Sequence, residues 1–209
     1  MIRYNTILKA ASAEQVIDKS RFIASVCPVE TKEEADAFIS QIKAKHKDAT
    51  HNVPAMVIGD KFQTQWASDD GEPQGTSGAP MVQMLVKEGL TNLAVVVTRY
   101  FGGVKLGTGG LVRAYTSSAK LGISAAGICA VKDMSVITVK IDYTYLSKLQ
   151  NLSQNGKFEI RELIYEDFVT AKLSTEPEKE NDLKDLIANL TGGTELFLEQ
   201  KEELIKVPV

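Results

Sequence analysis

Between Arg99 and Tyr115 the chain reads RYFGGVKLGTGGLVRAY, and the five glycines of that run (Gly102, Gly103, Gly107, Gly109 and Gly110) limit what can be built there. Glycine weakens regular structure and is useful where the backbone turns tightly or approaches a neighbour closely. The run follows a continuously apolar segment, LAVVVT at Leu93 to Thr98, and leads into an amphipathic pattern carried by Leu111, Tyr115, Ala119 and Ile123. The first is expected to be a buried strand and the second a helix from about Thr108 to Ala125. A strand, a glycine-rich loop and a helix N-terminus together offer free N–H groups to an anion. Arg99, Lys105 and Arg113 flank or enter the loop and add positive charge.

The loop is not a known phosphate motif. Gly102 and Gly107 fit G-x-x-x-x-G, but Thr108-Gly109 follows where a Walker loop has Lys-Ser or Lys-Thr. Gly107-Thr108-Gly109 begins a G-x-G-x-x-G pattern that ends on Val112. Two readings stand side by side: a ligand-binding loop, and a tight crossover that needs glycine for packing. Arg113, in the first turns of its helix, opposes the helix dipole and calls for an anion or a carboxylate nearby.

A second dense loop, SDDGEPQGTSGAP from Ser68 to Pro80, collects Asp69, Asp70 and Glu72. Clustered carboxylates suit Mg²⁺ or acid–base chemistry. Spacing alone favours a solvated turn with Asp bonded to its own backbone. Thr76 and Ser77 stand at the next helix start and add hydroxyls and N–H groups suited to an anion, with Ser77 as its cap. A structural salt bridge from Arg113 to this acidic loop, locking the two motifs together, is a further reading.

Of the aromatic residues near these motifs, Tyr100, Phe101 and Trp66 are candidates for base stacking, although core packing is the commoner use. His46 and His51 are the only histidines, and His51, just before a strand, is placed to line the same cleft. With Cys27 and Cys129 far apart in sequence, no zinc spacing exists. No G-x-S-x-G or Cys/His catalytic signature appears, so a covalent hydrolase is poorly supported. A binding protein without metal or cofactor is expected rather than an enzyme.

Periodicity places the rest. Two strands are expected between Ile2 and Val29. A helix capped by Thr31 and Glu34 follows, with Ala35, Phe38, Ile39 and Ile42 on its buried face. Strands are expected at Val53 to Gly59 and near Phe62 to Trp66, and a helix ending at Gly89. After about residue 131 the pattern becomes strand, helix, two strands joined at Glu166-Asp167, helix and strand. Thr175 and Glu178 form a second capping box, and the last strand runs from Glu195 to Glu199. That order is the split βαβ of ferredoxin-like folds. The chain is therefore an α+β protein of two domains, residues 1–131 and 132–209.

Charge separates the halves. The first carries 14 Lys and Arg against 12 Asp and Glu, a balance of +2; the second carries 10 against 15, a balance of −5. Neither has the basic excess of a duplex-DNA binder. Free thiols and the lack of a long apolar segment point to the cytoplasm, without membrane contact.

Asp69-Asp70-Gly71-Glu72-Pro73-x-Gly75-Thr76-x-Gly78-x-Pro80, together with the run from Arg99 to Tyr115, strongly resembles the IMPACT family. The resemblance covers roughly residues 15–125. It implies an N-terminal domain like domain 2 of ribosomal protein S5, an α/β sandwich. It also implies a C-terminal domain like the ferredoxin-like domains of elongation factor G, of unknown function. Eukaryotic members act in translational control through a partner that binds the ribosome. The expectation is a non-catalytic protein associated with RNA or the ribosome, with a protein partner as a further prospect. Arg99, Lys105 and Arg113 would contact phosphate, and Tyr100 or Phe101 would stack. The alternative is an enzyme on a small phosphorylated or anionic substrate, with Mg²⁺ held by Asp69, Asp70 and Glu72.

Overall fold

The computed structural model describes residues 2–209. They form two compact units, Arg3–Val131 with Lys206–Val209, and Lys132–Ile205 with Ile2.

The first unit is built on an antiparallel sheet of order β2-β3-β6-β4-β5. Its strands are β2 (Ala11–Ile17), β3 (Ser20–Pro28), β4 (His51–Ile58), β5 (Thr64–Ala67) and β6 (Leu93–Tyr100). Before them comes β1 (Ile2–Ile7), so the segment expected to hold two strands holds three. The break not foreseen lies at residues 8–10, between β1 and β2. The next break is the two-residue turn Asp18-Lys19, at φ 44° and 64°, which closes a hairpin with Ile17 opposite Ser20. Positive φ at both positions is the geometry that matches strand twist. Asp and Lys supply it here without the glycine that marks such turns in a sequence.

β6 is central and is covered on both faces, which accounts for its unbroken apolar run. On one face Ala94 and Val96 meet Ala35, Ile39 and Ile42 of α1 (Lys32–Lys45). On the other, Leu93, Val95 and Val97 meet Met81 and Leu85 of α2 (Gly78–Lys87) and Leu111, Tyr115 and Ala119 of α3 (Gly107–Ala126). The three layers follow from alternation along the strand and the 3.6-residue period along each helix. Thr31 caps α1, its hydroxyl accepting from the Glu34 N–H at 3.2 Å. The Glu34 carboxylate accepts from the N–H of Glu30, one residue before the cap, at 2.7 Å.

The second unit carries most of β7 (Ile128–Ile141), then α4 (Leu146–Ser153), β8 (Glu159–Tyr165), β9 (Val169–Thr175), α5 (Glu180–Thr191) and most of β10 (Leu196–Pro208). β9 lies between β7 and β8, and β10 pairs with β7, as a split βαβ requires. Ile137, Val139, Val169, Ala171 and Leu173 pack against Leu149 of α4 and Leu183 and Ile187 of α5. The expected capping box at Thr175 and Glu178 does not form. Thr175 donates instead to the Lys157 carbonyl at 3.2 Å, and a 3₁₀ turn at Pro177–Lys179 precedes α5. Pro177 fixes φ for that turn and delays the helix start. No helix among the described residues is long and apolar enough to cross a membrane.

Thr31→Ala removes the acceptor at the start of α1 and is expected to cost about 1 kcal/mol. Urea unfolding followed by circular dichroism checks this.

Candidate binding site

The acidic loop does not gather its carboxylates. Asp69 turns toward α2: its Oδ1 accepts from the Ser77 and Gly78 N–H groups at 3.2 and 2.9 Å and from the Ser77 hydroxyl at 2.7 Å. Its Oδ2 accepts from the Gly75 N–H at 2.8 Å. Burial raises the pKa of this carboxyl, but these four donors outweigh it and hold the group below its ordinary value. Asp70 sits at φ 49° and accepts from Lys43 Nζ and from the Asn52 N–H, both at 2.6 Å. Glu72 is buried and turns the third way, toward β6 and α3. Among the described residues no three His, Cys, Asp or Glu side chains are grouped to hold a metal ion.

Thr76 and Ser77, expected on an anion-binding surface, are buried and spent internally. Thr76 donates to the Pro73 carbonyl at 2.6 Å, and Ser77 donates to Asp69 rather than capping α2 itself. The anion at the N-terminus of α2 is the chain's own Asp69, an arrangement that suits the helix dipole.

Glu72 and Arg99 form the floor of the site. Arg99 Nη1 donates to Glu72 Oε1 at 2.7 Å, and the Tyr115 hydroxyl donates to the same oxygen at 2.7 Å. Arg99 Nη2 reaches the Ser20 hydroxyl at 3.3 Å, and the guanidinium lies 5.4 Å from the Phe22 ring and 5.2 Å from the Phe101 ring. Tyr115 meets Phe22 edge-on at 5.4 Å. Burial, then the bond to the Glu72 carboxylate, drives the Tyr115 hydroxyl pKa far above its ordinary range, so it remains a donor. A buried charge left without its partner costs about 3–5 kcal/mol, which ties the 68–77 loop firmly to β6.

The acidic loop thus engages Arg99, not Arg113. Arg113 is exposed because its position falls outside the stripe of Leu111, Ala114, Tyr115 and Ser118 that α3 buries. Lys105 is exposed as well. The glycines divide by task. A Cβ at Gly102 would stand 2.0 Å from the Lys19 carbonyl oxygen, so that glycine serves packing against the β2–β3 turn. Gly103 and Gly107 hold φ of 85° and 71°, which the path of the loop requires. Gly109 and Gly110 occupy the first turn of α3, which begins without a side-chain cap or an acidic residue.

Tyr100 is not free to stack. Its hydroxyl meets His46 Nδ1 at 3.0 Å, and the Arg21 guanidinium covers its ring at 4.7 Å. Burial and the neighbouring Lys45 lower the His46 pKa. Phe101, 45% exposed, is the available aromatic surface. Trp66 is exposed on β5 and lines a different depression, with Ser68 and Gln83.

A cavity of about 440 Å³ opens over this floor. Glu72, Arg99 and His51 line it from below, and Phe101, Lys105 and Thr108 from the rim. Its size falls in the range of small-ligand sites. His51 stands directly across from Arg99 in the β4–β6 pairing. Its Nδ1 lies 2.8 Å from the Asp70 carbonyl oxygen and its Nε2 lies 3.8 Å from Glu72 Oε2.

Residues 18–123 match the model of the Impact N-terminal domain, and residues 139–194 match a domain of unknown function, DUF1949. The IMPACT family member YvyE of Bacillus subtilis is 42% identical over 190 residues, 91% of this chain and 88% of its own length. The chain belongs to the IMPACT family. YigZ of Escherichia coli, another family member, is 33% identical over 85% of this chain and 88% of its own. The crystal structure of a hypothetical protein superposes with a TM-score of 0.58 at 30% identity, covering 96% of this chain and 98% of that one. Ser20, His51, Glu72, Arg99 and Tyr115 all fall inside the stretch matched to the Impact N-terminal domain.

Two outcomes test this geometry. Tyr115→Phe keeps the edge contact with Phe22 and removes one donor from the buried carboxylate. It is expected to cost about 2 kcal/mol, as bonds to charged groups do, read from thermal unfolding. Asp69 has a folded pKa below its unfolded value of 3.8. Its contribution to stability is full above that value and is lost as pH falls through the folded pKa. Asp69→Asn is therefore expected to unfold more easily at pH 7 and to show a flatter acid limb than wild type between about pH 5 and pH 2.

Proposed function

We propose that this protein is a non-catalytic RNA- or ribosome-binding regulator of translation that meets nucleic acid at the mouth of the cavity. The observation that carries the reading is the contrast between floor and rim. In the floor Glu72 neutralises Arg99. The rim presents exposed Lys105, the uncapped start of α3 and the exposed ring of Phe101. Cations and helix amides suit phosphate, and an aromatic ring beside them suits an unstacked base. Arg113 extends the positive surface along α3, and Lys19 and Arg21 are exposed on the β2–β3 hairpin that packs against Gly102. Arg99 supports the surface from beneath and does not itself contact phosphate.

The translational role is the one implied for the family's eukaryotic members. In this reading residues 1–131 carry the nucleic-acid surface. The acidic domain of residues 132–209 is suited to a protein contact, since its charge opposes a phosphate backbone. The setting is the cytoplasm.

Binding to ribosomes and to total RNA at about 50 and 200 mM salt tests the proposal. Salt-sensitive binding is expected. Lys105→Ala/Arg113→Ala should lower the slope of log affinity against log salt by about 1.4, at about 0.7 per lost phosphate contact on a single strand. Binding that ignores both salt and these substitutions would overturn it.

A further inference from the structure

The cavity contains a feature of opposite character to its cationic rim. The Asp70 carbonyl can only accept, so His51 Nδ1 must donate to it, and in the neutral form of the ring the lone pair is on Nε2. Both donors to Glu72, from Arg99 and Tyr115, fall on Oε1. Its other oxygen, Oε2, faces His51 Nε2 at 3.8 Å, too far for a direct hydrogen bond. These two acceptors stand 3.8 Å apart, so that one donor group placed beside them reaches both, and both residues line the cavity. An anion is repelled from that position. A hydroxyl has one proton and satisfies one acceptor. A group with two N–H protons satisfies both.

We propose that this slot reads the exocyclic amino group of an unpaired nucleobase, and that the cavity prefers amino-bearing bases over uracil or hypoxanthine. The inference rests on the RNA reading above. Adenine, cytosine and guanine each carry such an amine, and single-stranded bases are open on the edge that bears it. The surroundings suit the rest of the nucleotide. Phe101 supplies a ring for the base plane, and it is joined to the slot through Arg99, which lies 5.2 Å from that ring and 2.7 Å from Glu72. Lys105 and the start of α3 lie on the same cavity wall, where a phosphate belongs. The slot and the rim together ask for a ligand with a donor pair at one end and an anion at the other.

The test compares oligoribonucleotides of about ten nucleotides by fluorescence anisotropy, a length within the range of single-strand sites. In oligo(A) against oligo(I) and oligo(C) against oligo(U) the amino group is replaced by a carbonyl and the ring nitrogen beside it gains a proton. Wild type is expected to bind the amino-bearing member of each pair about tenfold more tightly. His51→Ala, at a half-buried position, should erase that preference while leaving the salt dependence in place. His51→Asn provides a second variant with a smaller change in polarity and should lose the preference as well. Equal binding within both pairs, with salt dependence intact, overturns the slot and leaves the RNA reading standing. A preference that survives both His51 variants also overturns it. Failure of every oligonucleotide and of ribosomes to bind overturns the RNA reading and the slot with it.

Discussion

The Glu72–Arg99 pair holds the cavity end of the N-terminal unit together. Both side chains are almost fully buried, so neither tolerates the loss of the other. The pair, with Arg99 on β6, also recruits neighbours from three other elements: Ser20 from β3, His51 from β4 and Tyr115 from α3. The 68–77 loop is thereby tied into the wall of the cavity. Apolar residues of similar size would pack there with less desolvation, and the ionic choice gives the cavity a floor with fixed lone pairs and fixed donors.

The two helix starts on this face are treated differently, and the difference follows from chemistry rather than from sequence distance. α2 receives an internal anion from eight and nine residues upstream, Asp69, whose carboxylate accepts from the Ser77 and Gly78 amides. α3 receives none, and its first turn is glycine and threonine. Glycines 109 and 110 leave the backbone of that turn bare, so a ligand can come as close as its own size allows. The same glycines weaken the helix start, a cost that the buried stripe from Leu111 to Ala126 offsets.

What the sequence made legible were the features decided locally. The apolar run of β6, the stripe of α3, the Thr31 cap and the ferredoxin-like order of the C-terminal half all follow from periodicity and capping chemistry. The wiring of the site was not legible, because it is decided by register. Arg99 and Arg113 look equivalent as flanking cations, yet one faces inward from a central strand and the other lies off a helical stripe. That stripe could have been used to assign Arg113 to solvent. Asp69 finds its partners locally, in the amides and hydroxyl of residues 75–78, as a turn of this kind predicts. Nothing local shows where Asp70 and Glu72 go, since their partners lie across gaps set by the fold: Lys43 in α1 for Asp70 and Arg99 in β6 for Glu72. His51 was legible as a residue before a strand, placed to line the cleft, but its position opposite Arg99 depends on the β4–β6 pairing.

The division of labour also explains why polar motifs can misdirect. Thr76, Ser77 and Asp69 resemble a ligand-binding loop because the same groups that hold an anion also hold a turn. Hydroxyls and amides are interchangeable in those uses, and the deciding question is whether the fold has already supplied an acceptor. Around α2 it has. Around the cavity, charge and exposure run the other way: the carboxylate that would quench Lys105 is turned inward and committed to Arg99. A surface keeps its charge for a partner only where the interior has taken up the opposing charge. That is the physical reason for placing the ligand over Glu72 and Arg99 rather than against the acidic loop.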